Sequence, residues 1–315
     1  MARSTRGYRC RECGWTTVAY VGRCGECQQW NTLDQFDSAP RGPLVRSSRP
    51  AALPGRTLAL AEVPDEPGRR MTTDIPELDR VLGGGLVPGS LVLVGGDPGI
   101  GKSTLMLQAA ARLADQGQAV AYVCGEESPR QVRMRASRLD VGAAPITLIP
   151  ESSLDAALAA AEGAGATVVI IDSIQSVYIE GLESRTGGPA QLAEAGPRPV
   201  AFAKGNEICT IVTGHVTKGG EIAGPRLLEH LVDAVLYFEG AEGGALRVLR
   251  AVKNRFGATD EVGVFEMTGS GLQSVENRSS AVLDAHDAEA SGCAVTAVIE
   301  GSRPLAVEGQ ALAVV

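Results

Sequence analysis

The most chemically specific pattern in the chain is an eight-residue run with the spacing G-x-x-x-x-G-K-[S/T], which is typical of loops that bind nucleotide phosphates. The apolar run Leu91–Val94 before it predicts a buried strand, and the residues after it predict a helix. Glycines let the backbone N–H groups face the phosphates, Lys102 reaches the β- and γ-phosphates, and the Ser103 hydroxyl is a ligand for Mg²⁺. A glycine-rich surface turn is the alternative. We predict a nucleoside triphosphate site formed by Gly96, Asp97, Pro98, Gly99, Ile100, Gly101, Lys102, Ser103 and Thr104.

Polar side chains stand where three other predicted strands end. Asp172 follows an apolar strand, and we assign it, with Ser103, to the Mg²⁺ shell. Glu126 and Glu127 follow another strand, where a carboxylate can orient the attacking water. We favour Glu126 for that role, and two solvated loop glutamates are the alternative. His215 ends a third strand and is either a sensor of the γ-phosphate or a structural histidine.

Four of the seven cysteines have the spacing C-x2-C-x10-C-x2-C. Each C-x2-C pair points two thiolates at one ion, so the two pairs together predict a closed, structural Zn²⁺ site with four cysteine ligands. About 30 residues cannot bury an adequate apolar core, and metal binding therefore supplies much of the folding free energy of such a module. A disulfide or redox pair is the alternative. The predicted ligands are Cys10, Cys13, Cys24 and Cys27.

The N-terminal part of the chain is basic, whereas the rest is acidic. Residues 1–70 hold 11 Lys and Arg against 7 Asp and Glu, and the whole chain has a net charge of −8. This distribution favours an anionic partner for the N-terminal end, with random variation in composition as the alternative. We expect Trp15, Tyr20 and Trp30 to pack around the zinc site, and stacking on nucleic-acid bases is the alternative reading.

Residues 71–277 alternate short apolar runs with helical patterns, which predicts an α/β fold with a mainly parallel sheet covered by helices on both faces. We expect a zinc ribbon over 1–33, a flexible linker over 34–70 and a short C-terminal segment over 278–315. No apolar run approaches 18 residues, and no apolar signal segment follows Met1. We therefore expect a cytoplasmic protein without a membrane partner. The predicted helices cover 74–82, 102–115, 129–138 and 152–163, and the predicted strands cover 91–95, 119–124, 146–149, 167–171 and 208–213.

These motifs together resemble bacterial RadA (Sms), a family of RecA-like DNA repair ATPases. The resemblance covers residues 8–33 and 71–315. It rests on Tyr8–Cys10, Gly22–Cys27, Glu77–Gly89, Gly95–Thr104, Gly125–Ser128, Gly214–Lys218, Ala223–Arg226, Leu228–His230, Leu236–Gly240 and the pentapeptide KNRFG at Lys253–Gly257.

The resemblance implies a ring-forming homo-hexamer that hydrolyses ATP with Mg²⁺, is stimulated by DNA and carries Zn²⁺. It implies partnership with single-stranded or branched DNA and with RecA recombinase, in branch migration of recombination intermediates. Glu126 matches the catalytic glutamate and Asp172 the Walker B aspartate, while the loop after His215 matches the DNA-contacting loop. The residues implied in DNA contact or in coupling between protomers are Lys218, Arg226, Lys253, Asn254, Arg255, Phe256 and Gly257.

Two features depart from the family pattern. Pro197 and Pro199 fall where the family has an uninterrupted helix, so we expect the helix either to be split or to start after Pro199. The family also has a C-terminal domain resembling that of Lon protease, of which we expect only opening strands over 295–299 and 312–315. We expect these strands to be poorly packed and ring assembly to be weakened.

Three functions remain open from the sequence. The first is a DNA-stimulated ATPase motor with a zinc ribbon. The second is a nucleotide-binding regulatory or scaffolding protein with weak ATP hydrolysis uncoupled from DNA. The third is a RecA-fold ATPase that acts without DNA, against which the basic N-terminal part and KNRFG both argue.

Overall fold

The computed structural model of the 315-residue chain describes residues 6–12, 16–17, 20–37, 59, 70–182, 184–215, 228–240, 245–275, 292–300 and 303–311. The chain forms two compact units, Met1–Asp65 and Glu66–Val315. Within the described ranges, no helix has the length and apolar character needed to cross a membrane. The predicted boundaries at residues 33, 70 and 277 stay predictions, because most of 34–70 and all of 278–291 lie outside the described residues.

The first unit contains a small antiparallel sheet in the order β2-β1-β3. Its strands are β1 (Arg6–Cys10), β2 (Thr16–Thr17) and β3 (Leu33–Asp37). Cys10, Cys24 and Leu33 are buried, and Tyr8 and Cys27 pack against them. Two of the three buried residues in this cluster are predicted metal ligands, so a bound metal ion would contribute to the packing of the described part of the unit.

The expectation that the ribbon aromatics pack around the metal site is wrong for Trp30. Its side chain is 67% exposed, and Tyr20 is 57% exposed although its ring contacts Tyr8 edge-on at 5.4 Å. Trp15 lies outside the described residues. The buried residues in the described part of the ribbon are Cys10, Cys24, Thr32 and Leu33, so the Trp30 ring is not part of that interior.

The second unit is built on a nine-stranded sheet in the order β12-β11-β10-β9-β4-β8-β7-β5-β6. The six strands from β9 to β6 run parallel, and β10 to β12 extend the sheet as antiparallel strands beyond β9. The strands are β4 (Leu91–Gly96), β5 (Val120–Cys124), β6 (Thr147–Ile149), β7 (Val168–Asp172), β8 (Cys209–His215), β9 (Ala234–Gly240), β10 (Leu246–Asn254), β11 (Val262–Thr268) and β12 (Gly271–Ser274).

Helices cover both faces of this sheet, as predicted. Alternate residues of β4 enter opposite cores: Val92 and Val94 pack with α1, α2 and α3, whereas Leu91 and Leu93 pack with α4, α5 and α6. All six residues of β4 are buried, as expected for a parallel strand between two helical layers. The helices are α1 (Pro76–Leu82), α2 (Lys102–Asp115), α3 (Pro129–Arg138), α4 (Leu154–Gly163), α5 (Pro189–Ala195) and α6 (Pro197–Asn206).

The helix that carries the two prolines is split, which is one of the two expected outcomes. α5 ends and α6 begins at Gly196, and Pro197 occupies the first position of α6, where its missing N–H costs least. A Cβ atom at Gly196 would approach Leu231 Cδ1 to 3.0 Å, so the 228–231 segment packs closely against the break. The break between α5 and α6 therefore lies next to the segment that follows residues 216–227, which are outside the described residues.

The expected strand at 295–299 lies within a C-terminal hairpin. β13 (Cys293–Glu300) pairs with β14 (Arg303–Gln310) as an antiparallel hairpin, which forms a sheet of its own. The second expected strand, at 312–315, lies outside the described residues. Val298 and Ile299 are 40% and 80% exposed, in agreement with the expected exposure of apolar residues in this segment.

Candidate functional site

Four neighbouring parallel strands end at one edge of the sheet and bring the predicted site residues together. The phosphate loop follows β4, His215 ends β8, Asp172 ends β7, and Glu126 follows β5. In the registers of these strands Gly96 lies opposite His215 and Cys124 lies opposite Asp172. Ligands of open α/β sheets bind at this carboxyl edge, so the fold places the four elements where a nucleotide site is expected.

The phosphate loop has the backbone that its glycines permit. Gly96, Gly99 and Gly101 have positive φ angles of 153°, 77° and 118°, and a Cβ atom at Gly96 would approach Phe238 O to 2.6 Å. Gly101 is the N-cap of α2 and has no side chain with which to cap it. The first N–H groups of α2 therefore remain as donors for an anion at the end of the helix dipole.

Lys102 points into this loop and is 5% exposed. Its Nζ donates to Gly96 O at 2.8 Å and to Asp97 O at 3.0 Å, and lies 3.2 Å from His215 Nδ1. Burial lowers the pKa of Lys102, while the carboxylates of Asp172, Glu126 and Asp97 act in the opposite direction. A triphosphate would supply the negative charge that favours the ammonium form in this buried position.

His215 links Lys102 to Glu126. Its Nδ1 faces Lys102 Nζ, and its Nε2 lies 3.4 Å from Glu126 Oε1. Because an ammonium group only donates, Nδ1 accepts a hydrogen bond from Lys102. The ring hydrogen is then on Nε2, which faces the carboxylate. One imidazole therefore contacts both the cation of the phosphate loop and the carboxylate assigned to water activation.

Asp172 is held by two hydroxyl groups from the neighbouring strands. Tyr122 of β5 donates to Oδ2 at 2.6 Å, and Thr213 of β8 donates to Oδ1 at 2.6 Å. Burial is the main cause that raises the pKa of Tyr122 well above its ordinary value, so its hydroxyl remains a donor. Short hydrogen bonds to a carboxylate are strong, and one on each oxygen fixes the plane of the carboxyl group.

The structure distinguishes the two glutamates that follow β5. Glu126 accepts a hydrogen bond from Ser173 Oγ and faces His215, whereas Glu127 pairs with Arg135 of α3. Glu126 is therefore the carboxylate directed toward the phosphate loop residues. Cys124, at the end of the same strand, has its pKa raised mainly by burial and is a core residue rather than a reactive thiol.

The KNRFG residues lie at the other edge of the sheet. Asn254 of β10 is opposite Ala234 of β9, four residues before Phe238, which is opposite Gly96. Four strand residues span about 13 Å, so within one chain these residues do not reach the phosphate loop. A role at a nucleotide site therefore requires the site of a neighbouring copy.

The pentapeptide makes two sets of contacts at that edge. Lys253 Nζ donates to Glu229 O at 2.8 Å, and Arg255 pairs with the buried carboxylate of Asp233 at 3.0 Å. The other residues support the end of α1: Asn254 Nδ2 donates to Val81 O at 3.2 Å, Phe256 O accepts from Arg70 at 2.5 Å, and Gly257 Cα lies 3.1 Å from the Cβ position of Gly83.

The cysteine cluster fits a zinc ion. The thiols of Cys10, Cys24 and Cys27 lie within 4.8 Å of one another, and the Cys10 and Cys27 sulfur atoms are 3.6 Å apart. Tetrahedral Zn²⁺ with Zn–S bonds of about 2.3 Å places sulfur atoms about 3.8 Å apart, close to this distance. The Thr32 hydroxyl lies 3.2 Å from Cys10 Sγ and can donate to it as a thiolate. Cys13, the fourth predicted ligand, lies outside the described residues, as do Lys218 and Arg226.

A cavity of about 320 Å³ opens beside the first turn of α2. Met267 in its wall also lies against the phosphate loop, where its Cε is 2.7 Å from the Cβ position of Gly101. This volume is within the range of small-molecule sites. The cavity is lined by Thr104, Arg138, Leu139, Met267, Thr268, Gly269 and Gly271.

Sequence reasoning missed three hydroxyl groups that support the carboxylates: Tyr122, Thr213 and Ser173. A signal was present, because each is a polar residue within or directly after an apolar strand. A buried hydroxyl needs a hydrogen-bond partner, and the carboxylates of the site are the nearest acceptors at that edge.

Comparison with known proteins agrees with this geometry. Residues 57–221 match the AAA domain family, and residues 8–35 match the rubredoxin metal binding domain family. DNA repair protein RadA of Pseudomonas aeruginosa is 48% identical over 316 residues, which cover 99% of this chain and 69% of that protein. The chain belongs to the RadA family of DNA repair proteins. The family member from Halalkalibacterium halodurans is 45% identical, over 99% of this chain and 68% of its own length.

Solved structures show that this RadA family chain has a RecA-like ATPase fold. The RadB recombinase has a TM-score of 0.51 and 25% identity, over 65% of this chain and 100% of its own. The ATPase domain of G40P has a TM-score of 0.57 over 65% of this chain and 91% of its own, and at 13% identity it shows the fold alone. The predicted α/β class with a RecA-like core and an N-terminal cysteine zinc ribbon is thereby confirmed.

Proposed function

We propose that this chain hydrolyses ATP in a DNA-stimulated reaction that serves DNA repair and homologous recombination. The proposal rests on two linked contacts: Lys102 contacts His215, and His215 contacts Glu126. The carboxylate of Asp172 also acts on Lys102. These contacts join the groups for phosphate binding, phosphate sensing and water activation in one site. Membership of the RadA family supports the assignment to DNA repair.

ATP binding rests on the phosphate loop and the cavity beside it. Lys102 and the N–H groups at the start of α2 hold the phosphates, while Ser103 and Asp172 hold Mg²⁺. The bound Mg²⁺ supplies positive charge that neutralises the phosphate oxygens as negative charge develops on them. The cavity next to Thr104 accommodates the nucleoside. Tyr122 and Thr213 orient the carboxyl group of Asp172.

Hydrolysis depends on Glu126. Ser173 and His215 both contact its Oε1, which orients the carboxylate toward the phosphate loop. In this position the carboxylate orients a water molecule for attack on the γ-phosphorus and accepts its proton. Glu127 is engaged by Arg135 and takes no part in this step.

His215 senses the nucleotide. In the structure the imidazole accepts from Lys102, which also donates to two carbonyl groups of the loop. When Lys102 turns to a γ-phosphate, His215 loses that partner and its proton on Nε2 remains directed at Glu126. His215 is the last residue of β8, and the change at its imidazole is transmitted along the chain to residues 216–227, which include the proposed DNA-contacting residues Lys218 and Arg226.

Coupling of ATP hydrolysis to DNA by this enzyme involves several copies of the chain. Lys253 and Arg255 act at the nucleotide site of a neighbouring copy in a homo-hexamer, in keeping with their place at the sheet edge away from their own phosphate loop. Single-stranded or branched DNA is the substrate, and branch migration of strand-exchange products made by RecA is the proposed role. The residues engaged in this coupling are Lys253, Asn254, Arg255, Phe256 and Gly257.

The test is the rate of ATP hydrolysis by the full chain with and without single-stranded DNA. Lys102→Ala serves as the blank. Glu126→Gln is expected to bind ATP with the parent's affinity and to lose at least 100-fold in rate, because the amide cannot accept the proton of the water. Glu127→Gln is the matched control, since it makes the same chemical change one residue away, and it is expected to retain hydrolysis within about threefold.

Two results would overturn parts of this proposal. Equal rates for Glu126→Gln and the parent would remove Glu126 from the catalytic role. A rate that DNA does not change, with ATP binding intact, would favour the regulatory or scaffolding protein with uncoupled, weak hydrolysis.

A further inference from the structure

The first unit carries a concentrated exposed apolar surface. Nine large hydrophobic side chains of the described residues are exposed, and three of them, Tyr20, Val21 and Trp30, lie within eleven residues of the ribbon. Single exposed apolar residues are ordinary on protein surfaces, but a group that includes a Trp and a Tyr marks a binding surface. We call this group, with Arg23, the ribbon aromatic surface.

The ribbon aromatic surface is held in place by the ribbon backbone. Arg23 and Trp30 form an antiparallel bridge, and Asn31 N donates to Gly22 O at 2.9 Å. The Trp30 ring lies 3.6 Å from the Cβ position of Gly22, so a side chain there would contact the ring. The Tyr20 ring contacts Tyr8 edge-on. The aromatic side chains are thus positioned before any partner binds, which reduces the entropy cost of binding.

A cation accompanies the aromatic rings. The Arg23 guanidinium lies 5.7 Å from the centre of the Trp30 ring, and Arg23 Nε donates to Gln28 O at 2.7 Å. Residues 6–37 contain four basic and four acidic side chains, so the ribbon as a whole is neutral and Arg23 supplies the positive charge beside the Trp30 ring. A partner that presents flat aromatic faces together with negative charge suits this arrangement.

We propose that the ribbon aromatic surface binds single-stranded DNA by stacking unpaired bases on Trp30 and Tyr20. Aromatic rings stack on the face of any base, and arginine both neutralises phosphates and stacks on bases. Duplex DNA does not present these faces, because its bases are stacked on one another. The site is separate from the ATP site, and its test needs no nucleotide, so the proposal stands or falls independently of ATP hydrolysis.

The chain contains only two tryptophans, Trp15 and Trp30, so its tryptophan fluorescence reports on the first unit alone. In the full chain with Trp15→Phe, Trp30 is the remaining fluorophore, and a dT20 oligonucleotide is expected to quench it in a saturable manner. Trp30→Ala and Tyr20→Ala are each expected to weaken dT20 binding about 5- to 100-fold in fluorescence anisotropy, the range for loss of one stacked base. Each variant must retain the parent's zinc content, which shows that the ribbon is folded.

Salt dependence separates stacking from charge. Trp30→Ala is expected to leave the slope of log K against log salt unchanged, whereas Arg23→Gln is expected to reduce it by about 0.7. Met134→Ala is the matched control, because it removes a 65% exposed apolar side chain of α3 outside the ribbon. Binding of dT20 within twofold of the parent for both aromatic variants, or unquenched Trp30, would overturn the proposal and leave the surface to a protein partner.

Discussion

The hydrogen bond from Tyr122 to Asp172 connects the stability of the fold to metal binding, and Tyr122→Phe removes it. Phenylalanine keeps the buried ring in place, since Tyr122 is 1% exposed and packs within the core. The substitution removes one of the two hydroxyl groups that donate to the Asp172 carboxylate. Thr213 still donates to Oδ1, whereas Oδ2 loses the tyrosine donor. Two quantities are expected to change: the unfolding temperature and the Mg²⁺ dependence of nucleotide binding.

The magnitudes follow from the geometry. A hydrogen bond to a charged group contributes about 1.5–3 kcal/mol, and the 2.6 Å O–H to carboxylate contact is of that kind. For a unit of this size, 1 kcal/mol lowers the unfolding temperature by about 2–4 °C, so a decrease of about 3–12 °C is expected. Loss of a group that orients a metal ligand costs about 10- to 100-fold in metal affinity, and the apparent Mg²⁺ constant is expected to rise by that factor.

Tyr237→Phe is the matched control, because Tyr237 also donates to a carboxylate at 2.6 Å, that of Glu229, which is not assigned to the Mg²⁺ shell. The assay is binding of a fluorescent ATP analogue over a range of Mg²⁺ concentrations, beside thermal unfolding of each variant. Both variants are expected to unfold at lower temperature, and only Tyr122→Phe to need more Mg²⁺. An unchanged Mg²⁺ constant for Tyr122→Phe, or the same rise in both variants, would refute the positioning role and leave Tyr122 a structural residue.

Two further predictions concern the cysteines. Burial raises the pKa of Cys209 from 9.0 to about 12. Because the unfolded chain releases this proton first, stability is expected to fall as the pH rises from 9 toward 12, with a slope approaching about 1.4 kcal/mol per pH unit. Urea unfolding at pH 8 to 10 should show a shallower decline for Cys209→Ala, and an equal decline would contradict this assignment. Cys24→Ser is expected to lose the bound zinc and make the first unit protease-sensitive while ATP binding persists, and retention of one zinc per chain would exclude Cys24 as a ligand.

Local signals were sufficient for two helices of the second unit, α2 and α3. The predicted bounds of α2 and α3 match the structure because each has clear ends: Gly101 starts α2, and Ser128 forms a capping box with Gln131 at the start of α3. The strand ends that carry Asp172 and His215 were also readable, since an apolar run ending in a polar residue marks the carboxyl edge.

Contacts between distant segments were not readable from the sequence. The hydrogen bond from Tyr122 to Asp172 depends on β5 lying beside β7, and nothing local to either strand determines that order. The exposure of Trp30 depends on the tertiary packing of the ribbon, which no local pattern determines. The strand β14 was not among the predicted strands, and Pro304 is tolerated near its start.

The position of β4 between the two ends of the sheet has a mechanical consequence. At its carboxyl end β4 continues into the phosphate loop, and at its amino end Leu91 N donates to the buried Asp233, which also pairs with Arg255. β4 is extended and fully buried, so its length is fixed. It therefore links the phosphate loop rigidly to Asp233 and Arg255 at its amino end. Phosphate binding can move β4 as a whole but cannot change its length. The separation between the phosphate loop and Asp233 is therefore set by the length of β4.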